Sequence, residues 1–171
     1  MEIFSDKPME RGAVNIHTVL EHVRRLAENG FGKHLAFEEI YDPSLPPVFG
    51  NRDQLIQVFL NLVLNAADAI RESDADGELN IETAILPLPQ KADKPSDRLM
   101  VRFVDNGHGI SDESLPNIFD PFFTTKDPGK GTGLGLSVSF SIIENLGGSI
   151  SAERTETGGT CMTIMLPLVG G

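Results

Sequence analysis

The chain has 171 residues, 40% of them hydrophobic and 23% charged, which suits one soluble globular domain with a real core. Its formal net charge of -11, from 25 Asp plus Glu against 14 Lys plus Arg, argues against nucleic-acid binding, because so acidic a surface repels a phosphate backbone. The single cysteine, Cys161, excludes an internal disulfide and a cysteine-based zinc cluster, and its place in an alternating apolar run reads as a small buried hydrophobe.

The opening MEIFSDKPME has neither the basic nor the apolar region of a secretion signal. No run nears the roughly 20 apolar residues of a membrane-spanning helix, so the expectation is a cytoplasmic chain without membrane contact. Residues 1–13 are polar and read as a lead-in, with the folded domain over 14–171. Val14, Val19, Leu20, Val23 and Leu26 recur at helical spacing and predict a helix over 14–28, closed by Asn29-Gly30. A strand follows over 35–41, then the clearest helix over 51–71, then strands over 78–86 and 98–105 with a polar loop between them. Residues 106–132 are dense in Gly, Pro, Ser and Lys and predict a long loop with one helical turn, a length that points to function or disorder.

The stretch 133–147 is ambiguous. GLGLSVSFSI alternates with period two and leans toward a strand, whereas IIENLGG resembles a helix end with a glycine cap. The last segment predicts a hairpin turning near 157–159, with Thr160, Met162, Ile164 and Leu166 on one face.

Three stretches could carry chemistry. On the 51–71 helix, Gln57, Asn61, Asn65, Asp68 and Glu72 fall in one narrow stripe of an otherwise apolar circumference. Any amphipathic helix has a polar face, yet an amide oxygen such as that of Asn65 is also a hard donor suited to Mg²⁺, which takes few protein ligands. In VRFVDNGHGIS, Asp105 ends a strand between an apolar run and two glycines, Gly107 and Gly109. That is either a strand-ending turn or a carboxylate placed to accept from an exocyclic amine, with glycines that let backbone approach a ring. GKGTGLGLS at 129–137 fails the spacing of a Walker A loop and of GxGxxG. It is a flexible turn, or, if a helix follows, an anion site built from free N–H groups with Lys126 and Lys130 beside it.

The order of these signals is more specific than any one of them. NLVLNAADA at 61–69, DNGHGI at 105–110, FDPFFTTK at 119–126 and GTGLGLS at 131–137 resemble the N, G1, F and G2 boxes of histidine-kinase catalytic domains. With the final GGTCMTIMLPL the resemblance covers roughly 14–168. It implies an α+β two-layer sandwich of the Bergerat type, a mixed and mostly antiparallel sheet packed on helices, with a mobile lid over ATP at about 106–132. It also turns the ambiguous 133–147 stretch into a helix.

The resemblance implies Asn65 as the Mg²⁺ ligand, Asn61 near the phosphates and Asp105 on the adenine amino group. Gly107 and Gly109 would shape the base pocket, and Gly131, Thr132, Gly133, Leu134 and Gly135 would cradle the phosphates within reach of Lys126. Thr160 would support the adenine end, and Phe122 and Phe123 would anchor the lid. Hydrolytic relatives such as gyrase, the Hsp90 chaperones and MutL carry a glutamate where this chain has Asn61. An amide is a poor general base, so the resemblance favours a kinase whose acceptor supplies the nucleophile.

None of His17, His22, His34 and His108 sits in the family's acceptor motif; His22 reads as a partly exposed helix residue and His108 as a solvated loop residue. The expected partners are therefore a separate dimerisation and phosphoacceptor helical domain, to which 1–13 would lead, and the receiver domain of a response regulator, with this chain monomeric. NIHTVLEHVRRLAENGF and YDPSLPPVFGNRDQLIQVFLNLVLNAADAI look like nitrogen-regulation sensor kinases of the NtrB type. Two rivals are a serine kinase of the anti-sigma class and a non-catalytic nucleotide-binding docking module.

Overall fold

The computed structural model describes residues 11–71, 76–86, 98–121 and 135–168. Elements are numbered in chain order: β1 (Gly12–Val14), α1 (Ile16–Glu28), β2 (Leu35–Ile40), β3 (Val48–Gly50), α2 (Arg52–Arg71), β4 (Gly77–Leu86), β5 (Arg98–Asp105), α3 (Gly135–Asn145), β6 (Ser149–Arg154) and β7 (Thr160–Pro167). Five strands form one sheet in the order β2-β4-β5-β7-β6; β2 and β4 are parallel and the other neighbours antiparallel. The three helices pack against this mixed sheet, which gives the expected α+β two-layer sandwich. Among the described residues, no helix is long and apolar enough to cross a membrane.

Local chemistry explains the helix boundaries. The Asn15 side chain accepts from the His17 and Thr18 amides and starts α1 two residues later than the spacing predicts. Val14, assigned to that helix from its apolar pattern, lies instead in β1, which pairs with β3 from Gly12↔Gly50 to Val14↔Val48. Gly12 and Ala13, placed in the lead-in, thus belong to a paired strand. Asn51 caps α2 by accepting from the Gln54 amide at 2.9 Å. From there Leu55, Val58, Phe59, Leu62, Val63, Ala66, Ala67 and Ile70 bury one broad side of α2. Phe59 meets Phe103 of β5 with ring centroids 5.7 Å apart, which ties helix to sheet at the centre of the core.

Over Gly135–Asn145 the chain is helical, as the resemblance implies and against the period-two lean toward a strand. It ends where Gly147 takes φ 82° and the Gly148 amide reaches back to the Ile143 carbonyl at 3.0 Å, a left-handed glycine stop. Cys161 is also corrected. Thr160, Met162, Ile164 and Leu166 face the core, so Cys161 lies on the opposite, half-exposed face of β7. Burial still pushes its thiol pKa up.

One polar knot fastens α1 to the sheet edge. The buried Thr83 hydroxyl accepts from the Asp42 amide at 3.0 Å and sits 2.9 Å from His17 Nε2, while the His17 ring stacks on Tyr41 at 4.6 Å. Burial holds the His17 pKa below its usual 6.5, although the Asp42 carboxylate opposes this. The unfolded chain then binds the proton more readily than the folded one, so His17 contributes stability above pH 6.5 that is lost as pH falls through its lower folded value. Urea midpoints should therefore drop more between about pH 7.5 and about pH 5.5 for the unmodified chain than for His17→Gln, since only the former carries the His17 imidazole.

Candidate functional site

The site is built around one stripe of α2. Asn61, Asn65 and Ala69 are spaced four residues apart and stack along a single face. Asn61 and Asn65 are half-buried, as is Asp68 beside them, while Gln57 is exposed and Glu72 lies outside the described residues. At 1.5 Å rise per residue, Asn61 and Ala69 are about 12 Å apart along the axis. Each end of that row touches a different glycine-bearing element.

At the Ala69 end sits the loop that leaves β5. A Cβ on Gly107 would stand 2.7 Å from the Ala69 Cβ and 2.8 Å from its carbonyl carbon, so only glycine lets the loop dock this closely. The His108 amide donates to the Ala69 carbonyl at 3.4 Å. Asn106, which the sequence did not single out, pins the same loop to the start of β4. Its Oδ1 accepts from the Glu78 amide at 2.8 Å and its Nδ2 donates to the Asp76 carbonyl at 2.6 Å. Its only signal in the sequence is the Asx position after a strand.

Asp105 is the last residue of β5 and is 7% exposed. It pairs in register with Thr160, itself buried on the neighbouring strand. Burial pushes the Asp105 carboxyl up from the usual aspartate range, while hydrogen bonds from the Gly107 and Thr160 amides pull the other way. The result is a carboxylate with two backbone donors and unused acceptor capacity at the end of a strand.

Behind the loop, the β6–β7 hairpin closes the wall. Its turn is held by the Thr155 amide on the Gly159 carbonyl at 3.0 Å and the Gly159 amide on the Thr155 hydroxyl at 2.9 Å, with Gly158 at φ 97°. Gly109 packs on the Gly158 carbonyl, and Gly159 packs on the Asp105 carbonyl. Between loop and hairpin lies an open cavity of about 800 Å³ bordered by His108, Ser111, Arg154 and Glu156; Asn61, Asn65 and Asp105 do not line it. His108 is exposed, as expected, and its Nδ1 lies 2.7 Å from the Gly109 carbonyl.

At the Asn61 end sits the start of α3. A Cβ on Gly135 would lie 2.5 Å from Asn61 Oδ1 and 2.9 Å from its Nδ2. Ser139, one turn later and 1% exposed, accepts from Asn61 Nδ2 at 3.4 Å. Ser139 escaped the sequence reading because the strand-like alternation hid its helical relation to Gly135. Phe119 meets Phe140 of α3 at 5.4 Å, so the described end of the loop after β5 also reaches this helix.

The structure thus brings Gly107 and Gly135 to the two ends of the α2 row that holds Asn61 and Asn65, while Asp105 pairs with Thr160 of β7 and Gly109 packs on the β6–β7 turn. Phe122, Phe123, Lys126, Lys130, Gly131, Thr132, Gly133 and Leu134 lie outside the described residues. Of the expected loop over 106–132, the described part runs to Pro121 and holds the one helical turn, at Leu115–Asn117.

Residues 50–170 match the family described as histidine kinase-, DNA gyrase B-, and HSP90-like ATPase. The chain is 48% identical to the sensory histidine kinase/phosphatase NtrB of Azospirillum brasilense over 98% of its own length and 42% of that protein's. It is 45% identical to NtrB of Rhizobium leguminosarum bv. phaseoli over 98% of its length and 44% of the relative's. The chain therefore spans less than half of these relatives. Among solved structures, the nucleotide-free catalytic domain of histidine kinase ThkA superposes with a TM-score of 0.73 at 32% identity, covering 93% of this chain and 98% of that one.

Proposed function

We propose that this chain, which belongs to the histidine kinase-, DNA gyrase B- and HSP90-like ATPase family, binds Mg·ATP between α2 and α3 and presents the γ-phosphate to a histidine on a separate helical domain. The observation that carries this reading is the row Asn61–Asn65–Ala69, with the Asp105 loop at one end and the start of α3 at the other. Its length suits a nucleotide lying with its base at Asp105 and its phosphates at Gly135.

The residues fit the ligand chemically. The Asp105 carboxylate can accept from an exocyclic amine, and Thr160 lies beside it in register. The half-buried Asn65 offers the hard amide oxygen that Mg²⁺ takes alongside phosphate and water. The metal would supply charge neutralisation on the phosphates. Gly135 lets the Asn61 carboxamide lie against the first turn of α3, where the amides and the helix dipole favour an anion. Lys126 and Gly131–Leu134 are assigned to the phosphates by family resemblance alone. Asn61 stands beside this end without the basicity to activate water, so the site holds ATP for transfer by positioning and electrostatics.

In the whole protein, the phosphoryl group would pass from the acceptor histidine to the receiver domain of a response regulator, in the cytoplasm. Residues 1–11 would lead from the dimerisation and phosphoacceptor domain. The NtrB relatives support nitrogen regulation as the setting.

The test is a calorimetric titration of this chain with ADP and a non-hydrolysable ATP analogue, with and without Mg²⁺, followed by phosphoryl transfer in trans to the phosphoacceptor domain of an NtrB-type kinase. Binding should be Mg²⁺-dependent, and Asn65→Asp should change that dependence more than it changes Mg²⁺-free ADP binding. The phosphorylated product should be acid-labile. An acid-stable phosphoserine would instead support the anti-sigma class, and absence of nucleotide binding would leave a docking module.

A further inference from the structure

We propose that Ser139 is a positioning residue: with Gly135 one turn before it on α3, it fixes the orientation of the Asn61 carboxamide. This deepens, and rests on, the reading that a nucleotide lies between α2 and α3. Ser139 is 1% exposed, the least of the four buried polar or charged residues among those described. A hydroxyl there carries a desolvation cost, and alanine would serve the helix better on propensity alone. Its recorded side-chain partner is Asn61, 78 positions earlier in the chain and on a different helix. The bond of 3.4 Å runs from Asn61 Nδ2 to Ser139 Oγ.

Gly135 completes the clamp from the other side. Its missing Cβ would overlap the Asn61 Oδ1 at 2.5 Å and Nδ2 at 2.9 Å, so the carboxamide lies flat against the first turn of α3. With Nδ2 turned to Ser139, Oδ1 is the atom offered where α3 begins. Asn61 then acts at the phosphate end as an oxygen acceptor, toward a hydrated cation or an ordered water. Without Ser139, the carboxamide loses the hydrogen bond that selects this orientation.

The experiment is a double-mutant cycle on this chain. Ser139→Ala, Ser139→Cys, Asn61→Ala and Asn61→Ala/Ser139→Ala are compared in titrations with adenosine and with an ATP analogue plus Mg²⁺. Loss of the hydroxyl should weaken the ATP analogue about fivefold, the scale of one ordinary hydrogen bond, in both Ser139 variants while adenosine binding stays unchanged. The double variant should bind no worse than Asn61→Ala, because Ser139 acts through Asn61. Additive losses, or an equal loss on adenosine, would assign Ser139 to packing and overturn the inference. So would unchanged analogue binding in both Ser139 variants. Failure of the unmodified chain to bind nucleotide would instead overturn the functional reading beneath it.

Discussion

Asp105→Asn should weaken ATP and ADP binding roughly 100-fold, the scale of a lost charge-assisted hydrogen bond in a buried site, and should do so without destabilising the fold. The two effects separate because Asp105 is held against its own solvation. Burial raises its pKa above the aspartate reference of 3.8, the larger influence over the Gly107 and Thr160 amides. A carboxyl whose folded pKa is raised contributes stability that is complete below its unfolded pKa and is lost as pH rises through the folded value. At neutral pH the ionised group is therefore a cost to the fold, which a neutral amide of the same shape removes. Calorimetric titration gives the affinity and urea unfolding gives the stability. A variant that lost both together would mean that Asp105 is a structural residue. In the unmodified chain, nucleotide affinity should also fall as pH is lowered through the raised Asp105 pKa, while the Asn variant stays flat.

Gly109→Ala should cost roughly 2–4 kcal/mol of stability and remove nucleotide binding, because two penalties coincide there. The residue sits at φ 78°, where an L side chain is strained, and its Cβ would run into the Gly158 carbonyl oxygen. Gly158→Ala is the natural control. It has φ 97° but open space around its Cβ, so it should lose only about 1 kcal/mol for the backbone conformation alone. Denaturant midpoints for the two variants, at constant m-value, measure the difference. Equal losses would show that the contact between loop and hairpin is soft and that the β5 loop is not braced by β6–β7.

Much of this was legible before the fold. The α2 stripe, the strand ending at Asp105 and the final hairpin each follow from spacing, because each depends on residues close in sequence. The errors have several causes. β1 is three residues long and exists only because β3 lies across from it, 36 positions later, at Gly12↔Gly50 through Val14↔Val48. No local pattern reports such a partner. In α3, Ser137, Ser139 and Ser141 look equivalent in an alternating run, yet Ser139 is buried against Asn61 and Ser141 is exposed. The alternation belonged to composition, and only the family resemblance overrode it. Cys161 was misread although the same strand's buried residues at 160, 162, 164 and 166 already placed it on the other face. Asn106 and Ser139 were missed because each matters through partners distant in the chain.

The small ribbon at the edge of the fold has a mechanical consequence. Val48 is paired with Val14 on one side and bridged to Leu168 on the other, so the two ends of the described chain are clasped at one point. A pull on the incoming chain is transmitted through three short pairs into the end of β7, rather than along the axis of α1. β7 then runs from that clasp to Thr160, opposite Asp105. The strand is a tie rod whose far end stands at the base of the candidate nucleotide site.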